Sequence, residues 1–419
     1  MHPRRRFLRD CLAVAAAGPA ATGTATAATA FAGDFERLWR AIDEDYAYLE
    51  RREDWRAVGA RWRPQAQAAR SRDELVATLE GAIADLHDEH VSLDAHLPGS
   101  PRAVPMATDL WAEWIGKEAV ISAVRAGSVA DVAGAVPGMR VTAVQRRPVE
   151  QAVRGLLGRS RQADIGARNW ALRRLVAGPW SGALALDVDL AGRASRLAIE
   201  REDLPAGATP PLIARRVGED RDLGYLRVKN NLGEAGLVAH FDAALLFLKA
   251  TRGLILDLRE TQSGGSADVA RALLGRFVTR KSPWILRVPR AARRGEDSRP
   301  EEVSPRGPFA YAAPTLVLVD RWTAGEGESL AIGLGTAARA TLVGTGMAGL
   351  RGDLREVRLP SSGIVLRYPA ARVFHADGTP REATRPAVPV DIVAPKGGPG
   401  DPILYQALKL LEAAGPRVG

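Results

Sequence analysis

Cysteine is almost missing from this chain: Cys11 is the only one in 419 residues. A lone thiol so near the start excludes an intramolecular disulfide framework and a thiolate metal site in the body of the protein. Lysine is scarce too, with Lys117, Lys229, Lys249, Lys281, Lys396 and Lys409 the only six among 58 basic residues. The other basic residues are arginines scattered among Asp and Glu. The formal net charge of +9 therefore reads as an Arg-for-Lys bias, and no nucleic-acid partner is expected. Beyond the first 32 residues no apolar run approaches the roughly 18 residues that a spanning helix needs. What is present, 46% hydrophobic and 26% charged positions, suits a globular protein of two or three domains.

Residues 1–32 have the layout of a signal peptide: a basic start, an Ala-rich apolar stretch, then small residues. Within it, Arg4-Arg5-Arg6-Phe7-Leu8-Arg9 resembles the twin-arginine export consensus. Ala30 and Ala32 flank Phe31 as a cleavage site would require, which puts the expected mature start near Gly33. Pro19, Gly23 and many Thr make the stretch a poor membrane anchor. The resemblance implies export to the bacterial periplasm or beyond, with no membrane attachment once the leader is gone. Cleavage would also remove the only thiol and leave a net charge of about +6.

The rest of the chain changes texture twice. Residues 33–104 carry helical periodicity, with Phe35, Leu38, Trp39, Ile42 and Tyr46 and later Leu75, Leu79, Ile83 and Leu86 at spacings of three and four. Residues 105–204 switch to short β-like runs separated by Gly and Pro. The run at 125–144 places a Gly-Ser turn, a short helix and a Pro-Gly turn before a strand. That order resembles a PDZ-type module, whose groove takes a peptide as an added strand. Met139 and Arg146 depart from it, standing where Asp and a hairpin Gly are usual. Residues 205–419 alternate strand and helix signals, the pattern of an α/β core. The stretch 288–307 reads as an exposed loop. The expected class is thus mixed α/β: a helical domain, a β-rich module and an α/β core.

Two strand-to-helix junctions hold the candidate chemistry. Leu254 to Leu258 runs into a turn with Ser263-Gly264-Gly265, and Leu316 to Val319 runs through Asp320 to Gly325 into a helix starting near Glu326. Glycine amides at a helix N-terminus can close around a developing oxyanion. With Asp85 to Leu93 and Asp377 to Glu382 added, these segments resemble the tail-specific (C-terminal processing) serine peptidase family, in its branch similar to the tricorn protease core. The resemblance implies a ClpP/crotonase-like core and acyl transfer by a Ser nucleophile, a His base held by a carboxylate and a backbone oxyanion hole.

Carried over by position, His90 is the base and Glu382 the group that orients it. Gly265, or Gly264 with it, and the amide of Glu326 are the oxyanion donors, although the turn holds one residue more between Arg259 and Gly264 than is usual in the family. The nucleophile position is Gly325, so the Ser is lost. Gly346 to Arg351 contains no Lys, which closes the family's Ser-Lys route. Ser329 is the one substitute nucleophile nearby, about one helical turn further on. No cofactor and no metal are expected. The resemblance implies unfolded or C-terminal peptide segments as partners, and the oligomeric state stays open. Two readings remain: a peptidase with an unusual site, or a binding protein that holds peptides without cutting them.

Overall fold

The computed structural model describes residues 20–49, 52–157, 161–200, 210–290, 299–393 and 400–414. The twin-arginine segment lies outside the described residues. Three helices come first: α1 (Ala20–Asp45), α2 (Arg52–Ala68) and α3 (Arg72–Ala84). α1 continues without a break through the expected cleavage region at 30–33. Helical spacing turns Phe35, Leu38, Ile42 and Tyr46 inward against Leu75, Leu79 and Ile83. Ser71 starts α3 by accepting the Glu74 amide at 3.2 Å, with Asp73 and Glu74 favourably placed in the first turn. The helices do not close this core alone. Val357, Leu359, Ile364, Leu366 and Tyr368, from far along the chain, fill its other side.

The β-rich module is built from β2 (Leu110–Ile115), β3 (Glu118–Val124), α4 (Val129–Val132), β4 (Arg140–Val144), β5 (Arg147–Pro148), α5 (Val149–Leu157), α6 (Ile165–Ala177), β6 (Leu184–Leu190) and β7 (Arg193–Ile199); β1 (Ser92–Leu93) precedes it. Its strands form an antiparallel sheet in the order β2-β3-β4-β6-β7, with β5 beside β4. Both departures from the PDZ-type pattern have a local account. Met139 packs into the module's apolar core, and Arg146 takes φ +65° in the β4–β5 turn, a conformation glycine adopts more easily.

The α/β core runs β8 (Leu212–Val217), β9 (Leu223–Val228), α7 (Gly236–Phe247), β10 (Gly253–Asp257), α8 (Ala267–Leu274), β11 (Ser282–Pro283), β12 (Ile285–Pro289), β13 (Glu302–Val303), β14 (Thr315–Val319), α9 (Glu326–Thr336), β15 (Thr341–Gly344), β16 (Asp353–Arg358), β17 (Val365–His375), β18 (Val388–Pro389) and α10 (Pro402–Ala413). The main sheet has the order β18-β15-β14-β10-β9-β8, parallel except for β8 at its edge. All five residues of β10 and four of the five in β14 are buried, as expected for strands covered on both faces. A second, antiparallel sheet pairs β17 with β1, β12 and β16, so the helical region and the core share it. The stretch 288–307 is not simply a loop: β12 reaches Pro289, and Val303 in β13 is fully buried.

At the C-terminal end of β10, Asp257 is fully buried and accepts from Arg259 at 2.7 and 2.9 Å and from the Tyr225 hydroxyl at 2.8 Å. Arg259 also reaches Asp401, the N-cap of α10, through two bonds of 2.8 Å. Burial alone would raise the Asp257 pKa; the Arg259 guanidinium more than offsets it and holds the pKa below the ordinary carboxylate value. Removing Asp257 costs Arg259 and the Tyr225 hydroxyl their bonds to it, while Asp401 still pairs with Arg259. Asp257→Ala is expected to lower the unfolding free energy by about 1.5–3 kcal/mol, read from urea denaturation.

Candidate functional site

The loops leaving β10 and β14 meet at the start of α9, where an open α/β sheet places its functional groups. The Ala324 amide donates to Thr261 O at 2.9 Å, and the Thr323 hydroxyl donates to Leu258 O at 3.1 Å. Gly325 turns the chain at φ +58°, ψ −120°, a strained conformation for any residue with a side chain. A Cβ there would lie 2.9 Å from Gly264 O and 3.0 Å from Gly264 N. The Glu326 amide, expected to be an oxyanion donor, donates instead to Gly264 O at 3.2 Å. Its carboxylate is buried and pairs with Arg287 at 2.8 Å. Gly265 sits at φ +105° with Asn231 O only 2.3 Å from where a Cβ would be, so glycine is required there.

His90 is buried at the far side of this turn. Its Nδ1 lies 2.6 Å from the Arg351 carbonyl, which makes Nδ1 the protonated nitrogen and leaves Nε2 as an acceptor. Nε2 is buried without a hydrogen-bond partner. Burial, and then the positive charge of Arg381, push the imidazole pKa down to about 3, so it is neutral. Glu382 does not orient it. That carboxylate accepts from the Tyr48 hydroxyl, and a main-chain carbonyl takes the orienting place. Ser329 is fully buried, with its hydroxyl 3.5 Å from Gly325 O and 3.3 Å from Arg381 Nη1. Among the described residues its hydroxyl meets only Gly325 O and Arg381 and no base, so the geometry does not make Ser329 a nucleophile.

Two further side chains, Arg381 and Glu328, fill the middle of the site. Arg381 is 2% exposed and donates to Gly325 O at 3.3 Å, Leu350 O at 3.0 Å, Gly352 O and Ser329 Oγ. Glu328 is fully buried and accepts the amides of Gly325 and Gly349, each at 3.0 Å, and of Leu350 at 3.3 Å. Burial raises its pKa to about 7 even though Arg381 and the three amides pull it down. By sequence Glu328 is an acid near Gly325 that could activate a water or simply suit a helix N-terminus, and the structure spends its carboxylate on three amides. For Arg381 there was no signal beyond its place before Glu382.

The β-rich module grips the same loops. The Trp322 indole donates to Thr108 O at 2.9 Å, and Arg321 forms bonds of 2.8 and 2.9 Å to Glu113 on β2. Gln262, in the loop with the extra residue, lies between Met106 O and the Arg125 guanidinium and bridges them when its amide nitrogen is assigned to face Met106 O. One edge of the sheet expected to accept a peptide strand is β2, and α6 covers it. Asn169 Oδ1 takes the outward amide of Trp114 at 2.8 Å, and the Arg168 guanidinium stacks 4.0 Å from the Trp114 ring. Beside α6 a cleft of about 1420 Å³ opens between the helical region and the module, lined by Tyr48, Arg61, Glu89, Arg161 and Arg351 among others.

Among the described residues no group of three or more His, Cys, Asp or Glu is placed to hold a metal ion, and no helix is long and apolar enough to cross a membrane. Helical region, β-rich module and α/β core, with a turn of this kind at the head of α9, define a protease-type scaffold. Residues 222–393 match the model of Peptidase family S41, and residues 27–84 match that of the Tricorn protease C1 domain. These matches support a resemblance to the tail-specific S41 peptidases. Its fold is similar to that of the photosystem II D1 C-terminal processing protease, at 19% identity and a TM-score of 0.56 over 93% of this chain and 99% of that one. It is similar also to mature CPAF complexed with lactacystin, at 14% identity and a TM-score of 0.59 over 93% and 98%. No curated protein matches the chain by sequence.

Two outcomes follow from the site's geometry. Gly325→Ala is expected to lower stability by about 1–3 kcal/mol in urea unfolding, because it forces a Cβ into a strained turn against Gly264. The raised pKa of Glu328 means that its contribution is fully present below the ordinary Glu value and is lost as pH rises through about 7. Thermal melts should therefore show Glu328→Gln gaining on the wild type between pH 5 and pH 8; a constant difference would contradict the raised pKa.

Proposed function

We propose that this chain is a periplasmic tail-specific-peptidase-like protein whose hydrolytic chemistry is impaired, and that it holds unfolded or C-terminal peptide segments without cutting them. The observation that carries this reading is Gly325 at the nucleophile position of a turn whose neighbouring amide, that of Glu326, is already bonded to Gly264 O. Loss of a triad nucleophile typically costs about six decades in turnover, roughly 8 kcal/mol of barrier. His90 keeps the tautomer of a general base, but its Nε2 has no hydrogen-bond partner among the described residues and so no hydroxyl or thiol to activate there. Peptide holding is favoured by the cleft of about 1420 Å³, larger than the roughly 300–1,000 Å³ of small-molecule sites. The periplasmic assignment rests on the Arg4 to Arg9 segment and on the absence of cysteine after Cys11.

Casein hydrolysis and fluorophosphonate labelling test the impairment. Neither is expected for the wild type or for Ser329→Ala. Gly325→Ser alone is expected to stay inactive as well, because its Cβ meets the Gly264 backbone and the Glu326 amide is occupied. Hydrolysis by the wild type that Ser329→Ala abolishes would overturn the reading.

A further inference from the structure

The cleft beside α6 draws almost all of its lining from the helical region and the β-rich module; the α/β core contributes only Gly349 and Arg351. Its charges are mostly spoken for. Arg61 pairs with Asp85 at 3.2 Å, Arg161 with Asp164 at 3.4 Å and with Asp54 at 3.8 Å, and Arg173 with Glu89 at 2.6 Å. Arg351 differs. Its side chain is exposed, and among the described residues it has no carboxylate within the 4.0 Å of an ion pair, although the other three lining arginines do. Its guanidinium lies 5.5 Å from the centre of the Tyr48 ring and also interacts with the Tyr46 hydroxyl and with the charges of Asp88 and Glu89, which uses only part of its fork of donors.

The acids nearest Arg351 are themselves occupied. Glu89 is bound by Arg173, and the Asp88 carboxylate is buried, accepting from the Tyr46 hydroxyl at 2.6 Å and the His90 amide at 2.9 Å. The wall behind Arg351 is closed. Leu350 and His90 are buried, and the main chain at 349–352 is held by Glu328, Arg381 and the His90 ring. A polypeptide lying in the cleft can reach this wall but cannot pass through it.

Resting on the peptide-holding reading above, we propose that Arg351 reads a peptide carboxylate at the core-side wall of this cleft, through a charge-assisted fork of hydrogen bonds. The carboxylate is either the C-terminus of the bound segment or an Asp or Glu side chain near its end. The cleft supplies the length of contact and Arg351 supplies the selection. Nothing in this role uses Gly325 or the oxyanion turn, so it persists in a chain that cannot cut.

Fluorescence anisotropy with the purified full chain and labelled unstructured decapeptides decides the matter. One peptide lacks Asp and Glu and ends in a free acid, a second is its C-terminal amide, and a third is the amide with one Asp at the penultimate position. The wild type is expected to bind the free acid at least about tenfold more tightly than the plain amide. Arg351→Gln should bind both equally, and Arg351→Lys should restore part of the preference. Ala163→Trp, at another exposed lining residue, should weaken all three peptides while leaving Arg351 in place, so the assignment does not depend on how Arg351 variants fold. The Asp-bearing amide separates the two sources: binding like the free acid assigns a carboxylate of either kind, and binding like the plain amide assigns the C-terminus alone. Equal binding of free acid and plain amide by the wild type, or an acid preference that survives Arg351→Gln, overturns the assignment while peptide holding stands. Failure of the wild type to bind any of the three overturns the peptide-holding reading itself.

Discussion

Two buried ionisable side chains at the head of α9 hold the centre of this protein, and main chain supplies most of their partners. Glu328 collects the amides of Gly325, Gly349 and Leu350, while Arg381 donates to the carbonyls of Gly325, Leu350 and Gly352. Taking two such groups out of water in charged form costs several kcal/mol each, so the arrangement persists only because nearly every donor and acceptor finds a partner. Both residues bind the same two segments, the Gly325 turn and the strand-like run at 349–352, and clamp them together. His90 hangs from that clamp through the Arg351 carbonyl. The imidazole stays neutral because it is dry and because a guanidinium stands nearby.

The same clamp explains the state of the oxyanion turn. With no side chain at Gly325, the Gly264 carbonyl can approach α9 closely enough to take the Glu326 amide. A serine at that position would need the space Gly264 now fills. The loop carrying Gly264 is also tied outward, since Gln262, with its amide nitrogen assigned to face Met106 O, bonds to Met106 and Arg125 in the β-rich module. Arg321 to Glu113 and Trp322 to Thr108 add two more ties from the module to the turn before α9. The module and the core thus share one polar seam.

Much of the architecture was legible because it rests on periodic burial. The strand through Leu254, the strand ending at Val319 and the helix starting at Glu326 fall where the pattern of apolar residues and turns puts them. The stretch 288–307 was misread since its Arg, Glu and Pro content masks β12 and the buried Val303. The helical region could not be seen to share its core with β16 and β17, because that pairing joins residues more than 250 positions apart. Within the site, glycine at 325 was visible directly, whereas the partner of His90 was not. A main-chain carbonyl has no side-chain identity to read, so Glu382 was the natural candidate, and only the fold sends it to Tyr48 instead.

By itself the sequence determined the leader-like start, the order of helical, β-rich and α/β regions, and the absence of a hydroxyl at position 325, all of which depend on residue type and local spacing. Tertiary structure alone decided that Ser329 is buried beside Arg381, that the Glu326 amide is spent on Gly264, that α6 lies over the edge of β2, and that Arg351 lines a cleft with no carboxylate at ion-pair distance among the described residues. The physical reason is the same in each case: whether a polar group is satisfied depends on which distant segment folding brings to it, and no local pattern encodes that.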